Sequence, residues 1–169
     1  PMDYRQWRVL RLRPQNFPHI RISQLAHLYY QRKAGLSQLV EAASVEDAKK
    51  VLATAVTPYW ETHYTFGSTS VRNDKNLSPF SLNLLCINTV VPILFAYGRH
   101  RGEEKYCDRA FDFLEQLRPE NNYIIRLWQQ CGLVVDNAGD SQALIQLKKE
   151  YCDKKECLRC RIGYEYLKR

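Results

Sequence analysis

The stretch NLSPFSLNLLCINTVVPILFAYG, residues 76–98, contains no charged side chain, and its reading decides the fold. It raises the question of a transmembrane helix. Asn76, Ser78, Pro79, Ser81, Asn83, Asn88, Thr89 and Pro92 interrupt it, however, and leave no run of about twenty mainly apolar residues. A helix that is apolar on nearly every side predicts the buried centre of a bundle, with residues 82–97 as the most buried segment. Pro92 should kink that helix or start a second one.

The flanking segments carry helical periodicity. On the C-terminal side, residues 103–117 place Tyr106, Ala110, Phe113, Leu114 and Leu117 at helical spacing, and Pro119 ends the pattern. Residues 120–131 follow with Ile124, Ile125 and Trp128 inward and Gly132 as the stop. Residues 141–151 form a further helix, capped by Asp140 or Ser141. On the N-terminal side, Ile22, Leu25, Ala26, Leu28 and Tyr29 fall on one broad face of a helix ending near Gly35. A short helix spans 36–43. Ser44 then opens another, with Glu46 and Asp47 in the first turn, where the helix dipole favours acids. Pro58 starts PYWETHYTFG, a short helix stopped at Gly67, and GSTSVRNDKNLSP is the clearest loop. No convincing strand alternation occurs beyond the first arm. The expected fold is all-α: an irregular bundle of about seven helices with an extended N-terminal arm.

The 169 residues suit one domain: a basic arm at 1–21, a helical core at 22–151 and a cysteine-containing segment at 152–169. The start at Pro1, directly in a charged and structured-looking stretch, suggests a piece of a longer protein. The net charge of +7 is unevenly placed. Residues 1–35 sum to +6, residues 36–147 to −3 and residues 148–169 to +4. Such asymmetry marks a nucleic-acid surface or a face that meets an acidic neighbour. The arm interleaves Arg5, Arg8, Arg11, Arg13 and Arg21 with Tyr4, Trp7 and Phe17. Arginines with aromatics grip phosphates and stack on bases, and they are equally enriched where proteins meet proteins. Arg5, Trp7, Arg8, Arg11, Arg13 and Arg21 are therefore candidate contacts to nucleic acid or a partner.

Half of the six cysteines lie near the C-terminus as Cys152-x4-Cys157-x2-Cys160. A C-x-x-C pair beside a third cysteine can present thiolates to zinc or an iron–sulfur cluster. The fourth ligand would be Cys131 or Cys107, since no cysteine or histidine follows Cys160. Lys154, Lys155, Arg159 and Arg161 would stabilise thiolates there. The alternative is plain packing, which is also the reading for Cys86, Cys107 and Cys131. With no secretory signal at the start of the sequence, the thiols are expected to be reduced and the protein cytoplasmic.

Elsewhere, catalytic signals are lacking. His63 follows Glu61 by two residues, so the pair does not share a helix face; a hydrogen-bonded histidine in an aromatic cluster fits better. His19, His27 and His100 are isolated, and no nucleophile elbow, phosphate loop or metalloprotease motif is present.

Five segments carry a family likeness: RLRPQNFPHIRISQLA (residues 11–26), PYWETHYTFG (58–67), INTVVPILFAYG (87–98), DSQALIQLKKEYC (140–152) and CLRCRIG (157–163). Through them the chain resembles the C-terminal part of an uncharacterised bacterial family, domain of unknown function 2851. The resemblance implies a preceding N-terminal domain as a partner and assigns no activity, substrate or catalytic residue. The expected role is a non-catalytic structural or interaction module of a larger cytoplasmic protein, acting away from the membrane. The alternative is a nucleic-acid-binding accessory domain with a cysteine-held zinc or iron–sulfur site.

Overall fold

The computed structural model describes residues 7, 9–32 and 35–168. The chain is all-α, with 64% of residues helical and a minimal two-stranded sheet. It forms two compact units, Pro1–Cys86 and Ile87–Arg169.

The first unit opens with a 3-10 turn at Pro14–Asn16, followed by α1 (Pro18–Arg32), α2 (Leu36–Glu41) and α3 (Val45–Leu52). Pro18 at the head of α1 has the fixed φ that a first helical turn needs. The helix therefore starts ahead of Ile22, within the expected arm. Its buried face runs through Ile20, Ser23, Gln24 and Leu28. The stripe Ile22, Leu25, Ala26 and Tyr29, expected inside, is exposed; only Leu28 of that set is buried. At α3 the expected cap is present: Ser44 Oγ accepts from the Asp47 amide at 3.1 Å and donates to the Asp47 carboxylate at 2.7 Å. These contacts and Lys50 hold the Asp47 carboxyl below its ordinary pKa. Val45, Ala48 and Leu52 form the buried face.

The helix begun by Pro58 lasts only four residues, α4 (Pro58–Glu61). The chain then turns back as a hairpin, β1 (His63–Thr65) with β2 (Ser68–Thr69), antiparallel around Gly67 at φ 75°. Glycine accepts that left-handed turn without steric cost. This corrects the expectation of an unbroken helix to Gly67. α5 (Pro79–Leu85) closes the unit, its Ser78 cap accepting from the Ser81 amide at 3.1 Å.

A π-helical turn at Cys86–Val90 leads into α6 (Val91–Arg101). Pro92, near the start of α6, cannot donate to the preceding turn, and the wider bonding there accommodates it. The helical run Pro79–Arg101 is long and apolar enough to cross a membrane by length and composition, and 28% of its apolar window is buried. Residues 82–97 are thus not the uniformly buried centre expected: Cys86, Ile87, Val90, Val91 and Leu94 are buried, while Asn88, Pro92, Phe95 and Ala96 are exposed. Leucine, valine and asparagine alternate around the run in a way that hides the buried side from a hydropathy reading.

The second unit continues through α7 (Glu104–Gln116), α8 (Tyr123–Gln130) and α9 (Ala138–Leu147). A second π-helical turn, Lys148–Cys152, precedes α10 (Arg161–Leu167), a helix that the sequence pattern does not announce. Gly102, at φ 68°, ends α6 and turns the chain into α7. The two helices approach closely at Gly98, where an added Cβ would meet Cys107 Sγ at 2.8 Å and the Glu103 oxygen at 3.0 Å. Of the face expected of α7, Ala110, Phe113 and Leu117 are buried and Tyr106 and Leu114 half-buried, and Cys107 is buried beside them. Asn122 caps α8, and Asn137, rather than Asp140 or Ser141, caps α9 by accepting from the Asp140 amide at 2.9 Å. Ser141 is instead fully buried, its hydroxyl donating to the Ala138 carbonyl and accepting from the Glu120 amide.

Leu94→Ala should lower the unfolding free energy by about 2–5 kcal/mol through the cavity it leaves. Gly98→Ala should cost about 1–3 kcal/mol through overpacking against Cys107. Ala96→Ser, on the exposed side, should stay within about 0.5 kcal/mol. Urea denaturation curves of the three variants check the order.

Candidate anion-binding site

Three of the arm arginines border one cleft of about 550 Å³ in the first unit: Arg11, Arg13 and Arg21. Gln15, Asn16, Gln24, Asn76, Ser78 and Ser81 supply amides and hydroxyls, Phe80 an exposed ring, and no carboxylate lines it. Among the described residues, none of the three arginines pairs with an acid. Arg11 reaches its place through a turn in which the Leu12 amide donates to the Val9 carbonyl, and it adopts φ 66°. A left-handed conformation in a non-glycine residue costs about 1–2 kcal/mol.

Arg21 is positioned by its neighbours. Its guanidinium donates to Asn16 Oδ1 at 2.6 Å and to Gln24 Oε1 at 2.9 Å, and burial lowers its pKa from the usual value. Gln24, 4% exposed, donates in turn to the Lys75 carbonyl at 2.6 Å. Lys75 is itself 3% exposed and left-handed, φ 46°. Its ammonium turns away to the carbonyls of Trp60 and Glu61 and sits 4.2 Å over the Tyr64 ring. Burial holds the Lys75 pKa below the usual range, against the pull of Glu61.

Trp7 takes no part in the cleft. Its ring lies 4.8 Å from His19, which also meets Trp60 and Phe66. His63 stacks on Tyr59 at 4.0 Å, and its Nδ1 lies 2.8 Å from the Tyr59 carbonyl. Glu61 is paired with Arg72 at 2.7 Å. The histidines here are thus elements of an aromatic cluster. Arg5 and Arg8 lie outside the described residues.

The model of the family Protein of unknown function (DUF2851) matches residues 1–123. The chain belongs to the DUF2851 family. No curated protein and no solved structure matches it. The matched residues contain the whole cleft, whereas two of the five resembling segments, 140–152 and 157–163, lie beyond the match.

In this DUF2851 chain the cysteine motif does form one place. Cys152, Cys157 and Cys160 all line an apolar cleft of about 160 Å³ with Trp128, Leu147, Tyr151, Ile162 and Gly163. They do not form the expected ligand set: among the described residues, no group of three or more His, Cys, Asp or Glu side chains is arranged to hold a metal ion. The fourth-ligand candidates stand elsewhere. Cys131 is exposed beyond α8, and Cys107 is buried with its thiol 3.7 Å from the Phe95 carbonyl. Three of the four basic residues expected to stabilise thiolates are engaged with acids: Lys154 with Glu150, Arg159 with Glu156 and Arg161 with Glu165.

Gln24, Lys75 and Phe80 carry no signal in the sequence that marks them as site residues. Lys75 sits in the loop GSTSVRNDKNLSP, and a loop held in a fixed conformation is where binding groups concentrate. Gln24 follows Ser23 and precedes Leu25 in α1, with nothing in that pattern to set it apart.

Gln24→Ala removes the donor to a buried carbonyl and the acceptor of Arg21. It should destabilise the protein by about 1–3 kcal/mol, the cost of orphaning a buried polar group. Gln24→Glu should restore the Arg21 contact while leaving the Lys75 carbonyl without its donor, giving an intermediate loss. Thermal melts of both variants check this.

Proposed function

We propose that the first unit is a non-catalytic binding module for single-stranded nucleic acid. The observation that carries the reading is the convergence of Arg11, Arg13 and Arg21 on a cleft without carboxylates. Phosphates neutralised by arginine release counterions, which supplies affinity without sequence preference. Phe80, 62% exposed on the wall of the cleft, offers a face on which a base can stack. The amides and hydroxyls around it accept and donate to sugar and phosphate. The six free thiols suit a reducing compartment, which supports the cytoplasm as the place of action. In this reading the apolar run 79–101 is a packing element rather than a span, because Gly98 brings it against Cys107.

A second reading, a protein-interaction module docking onto a neighbouring domain, rests on α1. Its exposed stripe Ile22, Leu25 and Tyr29 repeats at helical spacing, the pattern a partner helix buries.

Fluorescence anisotropy of a labelled single-stranded oligonucleotide should show log affinity falling linearly with log salt. Arg11→Ala with Arg13→Ala should flatten the slope by about 1.4, roughly 0.7 for each phosphate left without its arginine. Phe80→Ala should weaken binding by about 1–3 kcal/mol without changing the slope. Absence of binding at low salt, or an unchanged slope in the double variant, overturns the nucleic-acid reading and leaves the α1 stripe.

A further inference from the structure

The apolar cleft of the second unit brings together three thiols that the nucleic-acid reading does not use. Two of its cysteines differ sharply in access: Cys157 is exposed, and Cys160 is 7% exposed. They are the ends of a single turn, since the Cys160 amide donates to the Cys157 carbonyl at 3.3 Å. A four-residue turn holds its end Cα atoms within about 7 Å. A disulfide requires about 4.4–6.8 Å, a span that overlaps what such a turn allows. The turn is held from the other side by Gly163: a Cβ there would run into the Cys157 carbonyl and come within 3.1 Å of its Cα. Glycine lets α10 pack directly on the cysteine-bearing backbone. Trp128 and Tyr151 form an apolar wall, and Trp128 is fixed by donation from its indole nitrogen to the Leu144 carbonyl at 3.2 Å. A neutral, low-molecular-weight disulfide meets no charged side chain in that wall.

We propose that this cleft is a thiol–disulfide exchange site, with Cys157 as the attacking thiol and Cys160 as the resolving thiol toward small organic disulfides. The Cys157 thiolate attacks one sulfur of the small disulfide, breaks its S–S bond and expels one thiolate, leaving a mixed disulfide on Cys157. The Cys160 thiolate then attacks Cys157 Sγ and expels the second small thiolate. The protein loses two electrons and two protons, and the small disulfide is reduced to two thiols. Access sets the order, because the first step needs a thiolate that a solute can reach and the second needs only its neighbour. Cys152, on the rim, is a bystander in both steps.

Fully reduced protein of 169 residues is treated with 2-hydroxyethyl disulfide, a neutral small disulfide, at neutral pH under non-denaturing conditions, quenched with acid and mapped by intact and peptide mass spectrometry. The wild type should lose the mass of two hydrogens and yield a single Cys157–Cys160 bond. Cys160→Ser should stop at one 2-hydroxyethylthio adduct on Cys157, and Cys157→Ser should yield neither species. Circular dichroism identifies a variant that fails to fold, and the wild-type map decides the question without it. A stable adduct of the small disulfide as the wild-type end product overturns the proposal. So does a bond that includes Cys152, or thiols that resist reaction because the purified protein retains a stoichiometric metal.

Discussion

The buried side chain of Gln24 joins residues fifty-one positions apart by donating to the Lys75 carbonyl, and the first unit is organised around that bond. Lys75 presents this carbonyl inward because its backbone is left-handed. That conformation is maintained by what its side chain does: the ammonium satisfies the carbonyls at the end of α4, Trp60 and Glu61, and covers the Tyr64 ring. From Gln24 the chain of bonds continues outward to Arg21 and then to Asn16 in the 3-10 turn. Removing Gln24 leaves the buried Lys75 carbonyl unsatisfied, at a cost of about 1–3 kcal/mol. The loop before α5, the head of α1 and the 3-10 turn at Pro14–Asn16 are thus linked by one polar relay. The cleft lies along that relay, which explains why a lysine and a glutamine are buried in a protein with ample apolar residues.

The second unit is held by backbone proximity. Gly98 allows α6 to approach α7 until only sulfur and main chain separate them, and Gly163 allows α10 to rest on the Cys157 turn. Between these points, α8 and α9 are joined by the Trp128 indole bond to Leu144 and by Ser141, whose hydroxyl bridges Ala138 and Glu120. The cysteine cleft is the space left where α8, the π-helical turn and α10 meet. Its walls are apolar because the polar groups nearby are spent on the backbone or on surface ion pairs.

Helix class, the Ser44 cap, the inward face of α7 and the stop at Gly132 are open to reading from the sequence, because each is a local preference with a short-range cause. The orientation of α1 is not. Its apolar residues mark one face, yet the face that packs carries Gln24 and Ser23, and only the distant Lys75 carbonyl makes burial of an amide favourable. The hairpin after α4 is hidden for a similar reason. HYT and ST are too short to show alternation, and their pairing is imposed by Gly67 and by the aromatic cluster rather than by strand propensity. At the sites, the arginines of the arm are visible as a charge pattern, whereas their convergence on one cleft is set by the fold of the first unit. The three cysteines are visible as a motif, whereas the close approach of Gly163 to the Cys157 turn is not.

The contrast between the two clefts separates holding a ligand from transforming it. The basic cleft offers guanidiniums, amides and hydroxyls, and none of these exchanges a proton readily near neutral pH. Its hydroxyls at Ser78 and Ser81 are already engaged at the cap of α5, and no histidine or carboxylate lines the cavity to activate them. Burial lowers the pKa of two lining groups, Arg21 and Lys75; the Arg21 guanidinium is held by Asn16 and Gln24, and the Lys75 ammonium is bound to two carbonyls away from the cavity. A bound anion would therefore meet positive charge and hydrogen-bond donors without a nucleophile or general base. The cleft of the second unit is the reverse: it lacks the charge to retain an anion, but it holds sulfur atoms that react once a suitable electrophile enters. Under the two proposals, binding and reactivity thus fall to different units of the chain, each on the residue types that line its own cleft.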